Sequence, residues 1–103
     1  MGGLVKLFKE PFAFDWDAGN KDKNFIKHRV TNEECEEVFF DPHKRILEQV
    51  LYAGKEIRHV LVGCTKERRA MFVVFTIRRD RIRIISARDL NKKERGFLHE
   101  KVT

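Results

Sequence analysis

Residues 70–75, Ala70-Met71-Phe72-Val73-Val74-Phe75, decide the fold. Aromatic and β-branched side chains with almost no polar alternation predict a central strand covered on both faces. Two further strand-like runs flank it, Ile57 to Cys64 and Arg81 to Ala87. The joints between the three, Lys66 to Arg69 and Arg78 to Asp80, are short and polar. Joints that short make hairpins, so antiparallel pairing is expected.

Upstream, Phe12-Ala13-Phe14-Asp15-Trp16 alternates and predicts a short strand, with Asp17 standing where a helix cap would stand. Asn20 to His28 predicts a short, mostly polar helix. Thr31-Asn32-Glu33-Glu34 has capping-box spacing, and Cys35, Val38 and Phe39 then line one helical face until Asp41-Pro42. Residues 43–56 are ambiguous between helix and strand, with a turn at Gly54. Downstream, Asn91 and Glu94 repeat the capping-box spacing and predict a closing helix to Lys101, anchored by Phe97 and Leu98. The expected architecture is α+β: a short N-terminal strand, two helices, an antiparallel sheet of three or more strands and a C-terminal helix.

At 103 residues and 42% hydrophobic, with nine Phe and one Trp, the chain predicts a single domain, 1–103, with an ordinary core. No stretch approaches eighteen apolar residues, and Met1 to Glu10 lacks the pattern of a signal peptide, so a cytoplasmic protein without a membrane partner is expected. Cys35 and Cys64 fit neither a CxxC pair nor a metal cluster and are expected as buried thiols in a reducing compartment.

Charge is concentrated at one end. Arg78 to Lys101 carries nine Lys or Arg against four Asp or Glu, a balance of +5 in a chain of net +6. In Arg81-Ile82-Arg83-Ile84-Ile85 the cations are interleaved with Ile, so apolar residues can seat the strand while Arg meets phosphate. A solvated face is the competing reading. His28, His43, His59 and His99 are scattered, no pair has the i, i+4 spacing of a helical zinc site, and there is no Gly-rich phosphate loop. No metal and no cofactor are expected.

The remaining polar residues suit metal-free RNA cleavage, in which the nucleophile is the substrate's own 2′-hydroxyl. Lys27-His28 sets an ammonium beside a group that titrates near neutral pH; the alternative is a helix end where cations merely suit the dipole. Arg58 opens the first long strand, and Arg83 and Arg88 bracket Ile84-Ile85-Ser86-Ala87 on the third. Arginine suits the charge that gathers on equatorial phosphate oxygens; the alternative for each is pairing with a nearby carboxylate. DNA lacks the hydroxyl and escapes this route.

Phe14-Asp15-Trp16-Asp17, then Asn20-Lys21, Asn24 and Lys27-His28, resembles the opening signature of the BrnT toxins, the ribonuclease half of BrnT/BrnA toxin–antitoxin pairs. Glu33-Glu34, Val38-Phe39, Asp41-Pro42, Glu56-x-Arg58, Gly63 and Val73-Val74-Phe75-Thr76 follow in the family's order. Arg83-Ile84-Ile85-Ser86-Ala87-Arg88, followed by Glu94-Arg95, is the most specific piece. The resemblance runs from about residue 12 to residue 95. It implies a fold similar to RelE-type toxins, RNA cleavage that stops translation, and neutralisation by a small BrnA-like antitoxin that also carries the binding to operator DNA. It also implies Lys27, His28, Arg58, Arg83, Arg88 and Glu94 as residues of the activity or its immediate support, Arg83 and Arg88 as phosphate clamps, His28 or Lys27 exchanging protons, and Glu94 orienting an Arg. Lys21, Asn24, Arg81, Lys92, Lys93 and His99 are expected to contact RNA. The alternative is a non-cutting RNA-binding or protein-interaction module. Two departures stand out: Arg29 where a Gly usually follows the Lys-His pair, which leaves the turn there open to change, and Leu98, with His99 beside it, where the closing helix often carries Tyr.

Overall fold

The computed structural model describes residues 12–47 and 51–96. Its centre is the predicted triple of strands: β3 (Glu56–Cys64), β4 (Ala70–Arg78) and β5 (Arg81–Asp89), antiparallel throughout. Two short strands share the outer edge of β3: β1 (Arg45–Ile46) pairs with its second half and β2 (Leu51–Ala53) with its first. Within the ambiguous stretch, Arg45–Ile46 and Leu51–Ala53 are thus strand, with Gly54 at φ 63 in the β2–β3 turn, where a side chain would be strained. β4 is central, between β3 and β5.

The helices are short. α1 (Lys23–His28) starts three residues later than the sequence suggests, because Asn20 and Lys21 close a turn onto the Asp17 carbonyl at 3.1 and 2.8 Å. Asp17 caps that turn, accepting from Gly19 N at 2.7 Å, and does not cap the helix. α2 (Asn32–Glu37) opens with the expected capping box: Thr31 Oγ1 accepts from Glu34 N, and Thr31 N donates to Glu34 Oε1. A single 3-10 turn, Val38–Phe40, ends it before Pro42. Val30, Cys35, Val38 and Phe39 are buried against Leu61, Val73, Phe75, Ile82 and Ile84, with the Phe39 and Phe75 rings edge-to-face at 5.1 Å. That cluster defines the helix-covered face of the sheet. Among the described residues no helix is long and apolar enough to cross a membrane.

The expected N-terminal strand is reduced to one parallel bridge, Phe14 to Ile82. Asp15 N donates to Ile82 O and Ile82 N to Ala13 O, each at 2.8 Å. The chain then leaves the edge, its Trp16 indole donating to Glu36 at 2.7 Å. Side chains take over where backbone stops: Asn20 Nδ2 donates to Ile84 O at 3.2 Å, and Ala87 N donates to Asn24 Oδ1 at 3.0 Å. An edge strand that exposes its backbone invites wrong pairing, and two buried asparagines close this one. Where the closing helix is expected, the two capping-box bonds are present, Asn91 N to Glu94 Oε1 at 3.0 Å and Glu94 N to Asn91 Oδ1 at 2.8 Å. Its expected body, with Phe97, Leu98 and His99, lies outside the described residues.

Arg29 resolves the first sequence departure. It ends α1 at φ 57, ψ 36, in the left-handed conformation that a glycine would take there. The turn keeps its shape, and Arg29 bears the strain.

Candidate active site

A regular strand alternates its side chains, so residues five apart, such as Arg83 and Arg88, point to opposite faces. Here they do not. The register pairs Arg83 with Thr76, Ile84 with Phe75, Ser86 with Val74 and Arg88 with Phe72, leaving Ile85 unpaired as a β-bulge. Thr76 and Phe72 share the face of β4 opposite the core cluster, so Arg83 and Arg88 share it too. Val60 and Val62 of β3 pair with Val74 and Phe72, and by alternation Arg58 joins them. The bulge puts Arg83 and Arg88 on one face of the sheet, and the regular β3–β4 register adds Arg58 to it.

Each of these guanidiniums carries a carboxylate. Arg83, 9% exposed, forks onto Asp17, with Nη2 to Oδ1 at 2.9 Å and Nη1 to Oδ2 at 3.0 Å, and Nη1 reaches Asp15 at 3.5 Å. Arg88 lies over the Phe72 ring at 4.2 Å and forks onto Glu94 at 2.7 and 2.8 Å. Arg58 Nε donates to Glu56 at 3.0 Å, and Glu56 also binds Arg78. The bonds act on the carboxylates as expected: Arg83 holds Asp17, Arg88 holds Glu94, and Arg78 with Arg58 holds Glu56 below the ordinary carboxylate range.

The family scan agrees with this frame. The model of the ribonuclease toxin BrnT, of type II toxin–antitoxin systems, matches residues 16–94. The chain belongs to the BrnT family. No curated protein matches the chain. The BrnT match contains the bulge, Asp17, Arg83, Arg88 and Glu94, and membership of a type II system implies an antitoxin partner.

Other candidates are dispersed around this BrnT sheet. Lys27 and His28 are exposed in the last turn of α1, which lies along β5. That helix end is fixed by Arg69. Its Nη1 and Nη2 donate to the carbonyls of Arg29 and His28 at 2.9 and 3.2 Å, while it also binds Asp89 and Glu34. Asp89 is held low first by Arg69, with a smaller pull from His28. The Lys27-His28 turn therefore sits at the Asp89 end of β5, one residue beyond Arg88, although Asp89 pairs with Met71 and takes the helix-covered face. Lys21, Arg81, Lys92 and Lys93 are exposed, whereas Asn24 is 5% exposed and its oxygen is committed to the strand edge.

Sequence reading passed over Asp15, Asp17 and Asn20 as site residues and took Arg69 for part of a polar joint. A signal for the acids was present: Asp15 and Asp17 flank Trp16 at a spacing of two, which puts both on one side of an extended segment. Nothing local marks Arg69, whose partners are 20 and 35 residues away in sequence.

Proposed function

We propose that this BrnT-family chain cuts RNA without a metal, using the substrate's own 2′-hydroxyl as nucleophile, and thereby stops translation. The observation that carries the reading is the common face of Arg83 and Arg88, created by the bulge at Ile85. Two guanidiniums on one rigid sheet can hold a phosphodiester from two sides and neutralise the phosphorane as its equatorial oxygens gain charge. Arg58 adds charge from β3, across β4 from the other two, and Glu94 contributes by orienting Arg88. His28 or Lys27 accepts the 2′-hydroxyl proton or returns one to the departing 5′-oxygen. Exposed Lys21, Arg81, Lys92 and Lys93 offer a path for the rest of the strand.

The antitoxin is the natural cover for this surface. An acidic or amphipathic segment lying over Arg83, Arg88 and the region after β5 blocks RNA and stabilises the toxin by binding only its folded form. Operator DNA is reached through the antitoxin.

A second reading has one observation in its favour. Arg58, Arg83 and Arg88 each already hold a carboxylate, which suits a module that binds RNA or a partner without cutting it. One experiment separates the two. Purified chain is incubated with RNA and with DNA of the same sequence in EDTA. The ribonuclease reading expects RNA fragments with 2′,3′-cyclic or 3′-phosphate and 5′-hydroxyl ends, and intact DNA. Products with 5′-phosphates, or cleavage only with Mg²⁺, overturn it; binding without cleavage favours the second reading.

A further inference from the structure

We propose that Asp17, assisted by Asp15, is a positioning residue that aims Arg83 at the scissile phosphate. The inference rests on the ribonuclease reading above and adds a residue to it. A guanidinium has five N–H donors in a fixed plane. Asp17 takes the end of the fork, one donor each from Nη1 and Nη2, and Asp15 draws on Nη1. Among the described residues, the donors along the other edge, Nε–H and the second N–H of Nη2, meet no protein acceptor. That edge presents two parallel N–H groups, the geometry that matches two oxygens of a phosphate. Arg88 is held in the same way. Glu94 takes the end of its fork, and among the described residues its Nε edge meets no protein acceptor. Two arginines on one face, each gripped at the end and open along the side, form a pair of aimed phosphate donors.

The grip on Arg83 is built into the backbone. Asp17 is itself fixed by Gly19 N at 2.7 Å and by the bond from its own N to Asn20 Oδ1 at 2.8 Å. Asn20 ties the same loop to the carbonyls of Asp15 and of Ile84, the residue after Arg83. The loop passes so near that a Cβ on Gly19 would fall 2.9 Å from Arg83 Nη2 and 3.0 Å from Asp17 Oδ1. Isolated surface ion pairs hold their partners loosely. This one joins a strand residue to a loop anchored on both sides of it.

The test is Asp17→Asn, assayed on an RNA substrate with kcat and KM separated. The variant loses the second carboxylate oxygen and one negative charge near the RNA. Positioning predicts that kcat falls roughly 10- to 100-fold, while KM stays level or drops because repulsion of RNA is reduced. In the Arg83→Ala background the same change should cost little more. Asp15→Asn should give a milder loss and serves as the second variant if Asp17→Asn folds poorly. A faster Asp17→Asn enzyme overturns the proposal by showing that Asp17 merely competes with substrate. So does an unchanged kcat, or a loss that persists in full without Arg83. If the wild-type chain cuts RNA and these variants behave as wild type, only the positioning role falls. If the wild-type chain does not cut, the ribonuclease reading falls and takes this role with it.

Discussion

Arg83 and Arg88 stand five residues apart on one strand and face the same way, because Ile85 is bulged out of the β4–β5 ladder. A bulge re-aims side chains at the cost of one ladder position, and such irregularities cluster where a strand end does chemistry. In this chain the neighbouring backbone groups are not abandoned. Asn20 takes the carbonyl of Ile84 and Asn24 takes the amide of Ala87, on either side of the bulged residue.

Removing either aimed guanidinium should cost activity and leave the fold. Arg83→Ala and Arg88→Ala are each expected to lose about 2–4 kcal/mol of transition-state stabilisation, by analogy with the loss of single oxyanion donors. Lysine at either position should restore only part, since a point charge cannot present two parallel donors. Single-turnover cleavage beside a thermal melt checks both halves; two alanine variants that cut at the wild-type rate would reduce the arginines to a solvated face.

Asn24→Ala should unfold the protein more easily. The substitution leaves the buried Ala87 amide without its acceptor, at a cost of about 1–3 kcal/mol. The urea midpoint of the variant measures this. Little or no shift would mean that water satisfies the amide once the side chain is gone.

Arg29→Gly should do the opposite. A left-handed backbone costs a side-chain-bearing residue about 1–2 kcal/mol. The variant relieves that strain but forfeits the guanidinium resting 5.4 Å from the Phe25 ring centroid, worth about 0.5–1 kcal/mol at an exposed site. A small net rise in stability is expected, read as a higher urea midpoint with unchanged slope.

Acid should loosen the arginine face. Asp17, Glu56, Asp89 and Glu94 are all held below their ordinary values of 3.8 for Asp and 4.5 for Glu, first of all by bonds from Arg83, Arg78, Arg69 and Arg88 respectively. A depressed folded-state pKa contributes stability that is fully present above the unfolded value and disappears as pH falls through the folded one. Stability should therefore be level in this respect above about pH 5 and decline below about pH 4. Denaturant midpoints collected across that range test it. Glu94→Gln should show a shallower decline, because its fork no longer has a proton to gain.

Much of this was legible residue by residue. The apolar run at 70–75, the hairpin joints on either side, the capping boxes at Thr31 and Asn91 and the buried Cys35, Val38 and Phe39 all report local preference or simple periodicity, which neighbouring residues express by themselves. The family string around Arg83 and Arg88 was legible in the same way. The direction in which those arginines point was not. Strict alternation separates them, and only pairing with β4 reveals the bulge that reunites them. The grip of Asp17 on Arg83 spans 66 residues, and that of Arg69 on Glu34 spans 35. The N-terminal strand shrank to one bridge because Trp16 turned toward Glu36 and two asparagines closed the remaining edge. The sequence by itself determined the three long strands, the capped start of α2 and which residue types are present for chemistry, since those follow from short-range sterics and hydrophobic period. Tertiary structure decided which face each cation takes and which carboxylate holds it, because register and ion pairing are set by groups that meet only after the chain has folded.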